Sequence, residues 1–149
     1  MSLEDAFTVA AVTLLATAAL TDLAWRRIPN ALCLALTGLG LLRLGFDASG
    51  WLLPAADLGV AFILLGLGMV AFHYGVFGGG DTKLVAATSL WLGHAQTGSF
   101  LFIMALAGGL LALAWLLWRR LTRYPDGQSA TLPYGIAIAV AGIAVTLLN

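Results

Sequence analysis

Of the seven acidic residues in the chain, two are placed to do chemistry. Asp22 stands in Thr21-Asp22-Leu23-Ala24-Trp25-Arg26-Arg27-Ile28-Pro29-Asn30, at the end of an apolar segment. Asp81 stands in Phe77-Gly78-Gly79-Gly80-Asp81-Thr82-Lys83-Leu84, at the start of another. Acids at a membrane edge are costly to keep and usually have a function. Two carboxylates a few ångströms apart cannot both ionise easily. One can stay protonated and polarise a carbonyl while the other accepts a proton from attacking water. The ordinary reading of each is also open: Asp22 pairs with Arg26 four residues on, and Asp81 caps a helix after glycines. Glu4, Asp5, Asp47 and Asp126 fall in loops or at the start of the chain. Asp57, three residues after Pro54, opens an apolar segment and reads as structural, at the outer interface near a helix N-terminus.

The elements that must position this pair are membrane spans. The chain has 149 residues, 61% hydrophobic and 9% charged, with no net charge, whereas soluble domains carry roughly 25% charged residues. A soluble fold of this size could not hide so much apolar surface, and no basic excess is present to hold a nucleic acid. Six apolar segments are legible: Ala6 to Leu23, Ala31 to Leu44, Leu52 to Phe72, Thr82 to Leu92, Ser99 to Trp118 and Leu132 to Leu148. A full crossing takes about 20 helical residues, so the second and fourth are short. Glycines break the chain on both sides of the fourth, at Gly78-Gly79-Gly80 and over Gly93 to Gly98.

The expected architecture is an all-α bundle of six transmembrane helices forming one membrane-embedded unit over residues 1–149. With six crossings, Arg26, Arg27, Lys83, Arg119, Arg120 and Arg123 share one side and only Arg43 takes the other. Basic loops stay in the cytoplasm, so both termini face outside. Asp22 and Asp81 then share one depth at the cytoplasmic face.

The glycines before Asp81 carry no Cβ and accept positive φ, so a substrate strand can approach there. A valine at Gly80 should then cost more activity than one at Gly93, which sits on the outer side. The run is not a phosphate loop, since GK[ST] is missing. Small residues at Gly59, Gly66, Gly68, Ala105 and Gly109 suit close helix packing. Cys33 reads as a packed thiol. His73 and His94 fall on opposite sides; His73 is a candidate for substrate contact, and His94 reads as a solvated loop residue. Trp25, Trp51, Trp91 and Trp118 suit an interfacial aromatic belt. Pro29-Asn30 should start the second helix, and Pro133-Tyr134-Gly135 should start or kink the sixth and abut the acids. Glu4 and Asp5 stand where a secretory signal would be basic, so no cleaved signal is expected.

Gly78-Gly79-Gly80-Asp81 fits the G-x-G-D motif of membrane aspartyl proteases. Together with Thr82-Lys83-Leu84, the Asp22…Arg26-Arg27-Ile28-Pro29-Asn30 segment and Leu132-Pro133-Tyr134-Gly135, it resembles the type IV prepilin peptidases over nearly the whole chain. The resemblance implies that Asp22 and Asp81 are the catalytic aspartates and that Gly78 and Gly80 are the motif glycines. Gly78, Gly79, Gly80 and Lys83 become candidates for substrate contact. Ala24 departs from the basic residue common at its position. The resemblance is to the short, peptidase-only form of tight-adherence (Flp-type) pilus systems. Bifunctional relatives carry a longer first cytoplasmic loop with paired cysteines, and archaeal preflagellin peptidases are a close alternative.

The implied activity is cleavage of the basic leader from a prepilin at the cytoplasmic membrane face, with prepilin and membrane lipid as partners. No metal or organic cofactor and no nucleic acid is implied. Two other classes fit some of the same residues. A proton-coupled carrier would place its acids near the bilayer midplane and show inverted repeats. A non-enzymatic assembly subunit would leave the shared depth of Asp22 and Asp81 without a reason. The topology is testable in a Cys33→Ser background: cysteines introduced at Ser2 and Gln128 should label from opposite sides of the membrane. Labelling from the same side would refute the six-crossing reading.

Overall fold

The computed structural model describes residues 2–46, 52–122 and 133–148. They form six helices: α1 (Leu3–Trp25), α2 (Asn30–Phe46), α3 (Leu52–His73), α4 (Gly79–Leu92), α5 (His94–Thr122) and α6 (Tyr134–Leu148). Trp51, Asp47, Arg123, Asp126, Gln128 and Leu132, which entered the reading above, lie outside the described residues. The helices α1, α3 and α5 are each long and apolar enough to cross a membrane, while α2 and α6 are shorter apolar helices. Many large apolar side chains point outward, among them Leu20, Leu67, Phe102 and Leu110. In water such a surface would drive aggregation; against lipid it needs no cover.

The faces turned inward follow helical spacing. On α1 the buried residues are Ala11, Leu15, Ala18 and Asp22, separated by four, three and four positions. Asp22 therefore ends the same stripe that packs the helix. The N-terminus of α1 is closed by a capping box: the Ser2 hydroxyl accepts from the Asp5 N–H at 3.1 Å, and the Asp5 carboxylate accepts from the Ser2 N–H at 2.8 Å. Asp5 is thus a first-turn cap. The helix α2 starts at Asn30, just after Pro29, as expected.

The fourth segment, short by the sequence, is the centre of the molecule. It packs against α2, α3, α5 and α6, while α1 packs on α6 and α2. Ten of its fourteen residues are buried. At about 1.5 Å per residue it is only ~21 Å long, but its neighbours shield it. Its low apolarity has the same cause. Thr88 and Ser89 are buried in mid-helix; the Thr88 hydroxyl donates to the Leu84 carbonyl at 2.7 Å, and the Ser89 and Thr97 hydroxyls pair at 2.9 Å. Protein, not lipid, surrounds these groups, and each is satisfied.

Gly79 and Gly80 lie inside α4, not in a break before it. The segment Gly93 to Gly98 is not a loop: only Gly93 interrupts the helices, and α5 begins at His94. Trp91 is not interfacial. It is buried in the core, and its indole N–H donates to the Thr146 hydroxyl at 3.1 Å, because α4 is enclosed. Trp25 and Trp118 are exposed near helix ends. Gly59, Gly66 and Gly109 have no neighbour close enough to make them packing positions. Gly68 does pack closely, against Thr82, as expected, and further close approaches occur at Gly40, which meets Leu90 and Trp91, and at Gly142, which meets Thr88 and Leu15.

His94 is likewise not simply solvated. The Asp57 carboxylate accepts from its backbone N–H at 2.6 Å, lies 2.7 Å from its Nδ1, and accepts from Arg43 Nη2 at 2.5 Å. Asp57 is buried, 4% exposed, and caps the N-terminus of α5. The cluster joins α2, α3 and α5 around Gly93. Gly93 has φ of 85°, and a Cβ there would lie 3.0 Å from Arg43 Nη2 and 3.2 Å from both Asp57 carboxylate oxygens. Gly93 is therefore not an open position on the outer side, because a side chain there meets the Arg43–Asp57 pair. Gly93→Val should cost about 2 kcal/mol of stability, read as a lower Tm in detergent. Gly59→Ala, facing open space, should not lower it.

Candidate functional site

Asp22 and Asp81 reach one place from opposite helix ends. The C-terminus of α1 supplies Asp22, and the N-terminus of α4 supplies Asp81. Both line a cavity of about 600 Å³, together with Arg26, Gly75, Val76, Phe77, Gly78 and Tyr134. The Asp22 and Asp81 carboxylates lie within electrostatic reach of one another. The arrangement is a recess with two acids, one guanidinium-bearing residue and an apolar aromatic wall.

Each carboxylate is held by the start of a helix. Asp22, 7% exposed, accepts at 2.9 Å from the Gly135 N–H in the first turn of α6. Asp81 is the third residue of α4 and accepts from the backbone N–H of Gly78, the N-cap. Helix starts leave N–H groups without partners and favour negative charge. So the capping reading of Asp81 holds, and it does not compete with a place in the cavity, since a carboxylate has acceptor sites to spare. The expectation that Pro133-Tyr134-Gly135 starts the sixth helix against the acids also holds.

The glycines act through space, not through backbone angle. Among the described residues the positive-φ glycines are Gly75 and Gly93, with none in Gly78-Gly79-Gly80. A Cβ at Gly78 would lie 2.5 Å from Asp81 Oδ2, one at Gly80 would lie 3.1 Å from Ile28 Cβ, and one at Gly135 would lie 2.8 Å from Asp22 Oδ2. These positions let the chain come up against the acids and bring the 26–30 segment onto α4. The chain after α3 turns at Gly75, where φ is 71°. The Val76 N–H donates to the Ala71 carbonyl and the Gly75 N–H to the Phe72 carbonyl, each at 2.9 Å, which is the Schellman ending. It swings Val76 and Phe77 over the cavity.

Three contacts set the height of Asp81. Thr82, 2% exposed, donates its hydroxyl to the Gly68 carbonyl of α3 and to the Gly78 carbonyl, both at 3.1 Å. Lys83 Nζ donates to Asn30 Oδ1 at the start of α2, at 2.9 Å. Ile28 packs on Gly80. Lys83 does not line the cavity with the acids. Two positions along a helix from Asp81, it faces α2 instead. His73 is not in the lining either; it makes an edge contact with Tyr74.

The sequence did not single out Phe77, Val76, Arg26 or Tyr134 as one wall. Phe77 and Tyr134 meet edge to face, 5.2 Å between centroids. Gly108 of α5 makes room for Tyr134, since a Cβ there would lie 2.5 Å from its hydroxyl. Arg26 has φ of 52°, the left-handed region that is unusual outside glycine, and its N–H donates to the Asp22 carbonyl at 2.9 Å. A non-glycine residue held in that region beside a cavity is a signal that only the tertiary structure carries.

Comparison with known proteins places the chain among its relatives. The chain is 31% identical over 144 residues to a prepilin leader peptidase/N-methyltransferase of Bacillus subtilis (strain 168), covering 96% of this chain and 56% of the relative. It is 30% identical over 130 residues to a protein of the same description from Pectobacterium carotovorum subsp. carotovorum, covering 82% of this chain and 44% of the relative. The chain thus spans about half the length of these curated relatives. No solved structure matches it significantly. The pattern that defines the type IV leader peptidases matches residues 9–113, a stretch that holds both Asp22 and Asp81. This membrane protein belongs to the type IV leader peptidase family.

Proposed function

We propose that the chain is a single-domain membrane aspartyl endopeptidase that removes the basic leader from Flp-like prepilins. The observation that carries the reading is the cavity that Asp22 and Asp81 share. Water bound between the acids gives its proton to the ionised carboxylate and attacks the scissile carbonyl, which the protonated carboxyl polarises. The peptide C–N bond then breaks, and a carboxyl protonates the leaving amine. The substrate is a single-span precursor whose leader stays in the cytoplasm and whose apolar helix lies in the membrane. The charge bias supports six crossings of the cytoplasmic membrane, both termini outside, and the acids at the inner face. The arrangement fits a carrier poorly, because both acids sit at helix ends and not at mid-helix.

Asp22→Asn and Asp81→Asn should each lower cleavage of a synthetic prepilin by about 10²-fold or more, with the detergent-purified protein unchanged in helicity. Near-normal turnover in either variant would show that the pair is not the catalytic dyad. The kcat/KM of the parent should follow a bell-shaped pH dependence, because the working form is singly protonated, and EDTA should not change it. Zinc-restorable loss of activity in EDTA would overturn the mechanism.

The packing glycines give a second test. Gly135→Val should depress kcat more than it raises KM, because its side chain displaces Asp22 and not the substrate. Gly80→Ala should lower kcat several-fold, because the methyl pushes Ile28 away from α4. Full activity in both variants would mean that these close approaches do not position the acids.

A further inference from the structure

A second recess lies on a different face of α4 from the acids. Both α2 and α3 pack extensively on α4 but scarcely on each other. The gap between them is a groove of about 450 Å³ with α4 as its floor. Its walls include Leu34, Leu41, Leu58, Phe62 and Leu90. Leu34 is 70% exposed and Phe62 69%, so the groove opens sideways into the bilayer. At the end level with the acids it is closed by Asn30 and Lys83, joined by their 2.9 Å hydrogen bond. The other polar side chain among its walls, Thr37, is already used, donating to the Cys33 carbonyl at 2.8 Å.

We infer that this groove binds one acyl chain of an anionic phospholipid, with the headgroup phosphate at Lys83. Three features fix the occupant. The walls are apolar along their length and cationic at one end, which matches a lipid and not a peptide. The walls run from Asn30 to Leu41 on α2, about 16 Å at 1.5 Å per residue. That is one leaflet, about half of the ~30 Å hydrocarbon core; a transmembrane substrate helix would need a seat twice as long. Finally, Lys83 and Asp81 face different ways from the first turns of α4, so a segment lying in the groove does not lead into the cavity of the acids. The Lys83 ammonium attracts anionic headgroups near the membrane surface, worth about fivefold in binding. Lys83 is thereby assigned to lipid, and the inference does not rest on the peptidase reading.

The test is native mass spectrometry of the full chain in detergent with mixed phosphatidylglycerol and phosphatidylcholine, which needs no cleavage assay. The parent should retain one phospholipid, with phosphatidylglycerol preferred about fivefold. Lys83→Met should keep a lipid but lose the preference. Ala86→Phe, which fills the floor of the groove, should lose the lipid while keeping its helical circular dichroism. Leu34→Trp, at the open rim, is the milder version should Ala86→Phe fail to fold, and should weaken retention. Equal retention and preference in all variants would mean ordinary surrounding lipid and overturn the site. Displacement of the lipid by the apolar segment of a synthetic prepilin would overturn it too, and give the groove to the substrate.

Discussion

A helix that begins inside a membrane protein leaves its first N–H groups without intrahelical partners, and no bulk water is there to accept them. Three helices of this bundle begin under that constraint, and each is met by a carboxylate. Asp81 serves the start of α4, Asp57 the start of α5, and Asp22 the start of α6. The three interior acids of the described chain are therefore caps first. What separates them is the rest of their surroundings. Asp57 is also bound by Arg43 and His94 on the far side of the bundle. Asp22 and Asp81 share a cavity. Capping explains why a membrane protein can keep such acids; the cavity is what leaves two of them available for chemistry.

The short helix α4 makes both recesses possible. It has too few residues to span lipid comfortably, so the other helices enclose it. Enclosure leaves one space at its N-terminus, where the acids converge, and another along its side, where α2 and α3 part. The two spaces differ in chemistry because the helix turns about 100° per residue. Asp81 faces the polar recess while Lys83 faces the apolar one. A pair of residues that looks like one charged motif in sequence is thus divided between two environments.

Glycine carries two different meanings in this fold. At Gly75 and Gly93 it supplies a backbone angle, ending one helix over the cavity and turning the chain around the Asp57 cluster. At Gly68, Gly78, Gly80, Gly108 and Gly135 it supplies missing volume, so that Thr82, Asp81, Ile28, Tyr134 and Asp22 can come close. The glycines spaced as if for helix packing, Gly59, Gly66 and Gly109, do neither. Spacing alone does not say which side of a helix meets protein and which meets lipid.

The sequence by itself determined the class of solvent, the number of helices and the two acids that line one cavity. Those follow from local quantities: apolar run length, punctuation by glycine and proline, and the cost of an acid near lipid. It also located the starts of α2 and α6, because proline marks a helix entrance wherever the chain goes afterwards. It could not rank the helices. Its short run made α4 look weak, yet its neighbours enclose it, and Thr88 and Ser89 are tolerated because their partners are in the protein. It could not place Trp91, His94 or Gly93, whose roles depend on Thr146, Asp57 and Arg43, residues distant in the chain. Nor could it see that Tyr134 and Phe77 form one wall beside the acids. Periodicity and composition report what a segment prefers to face; only tertiary structure decides which face the other helices have already taken.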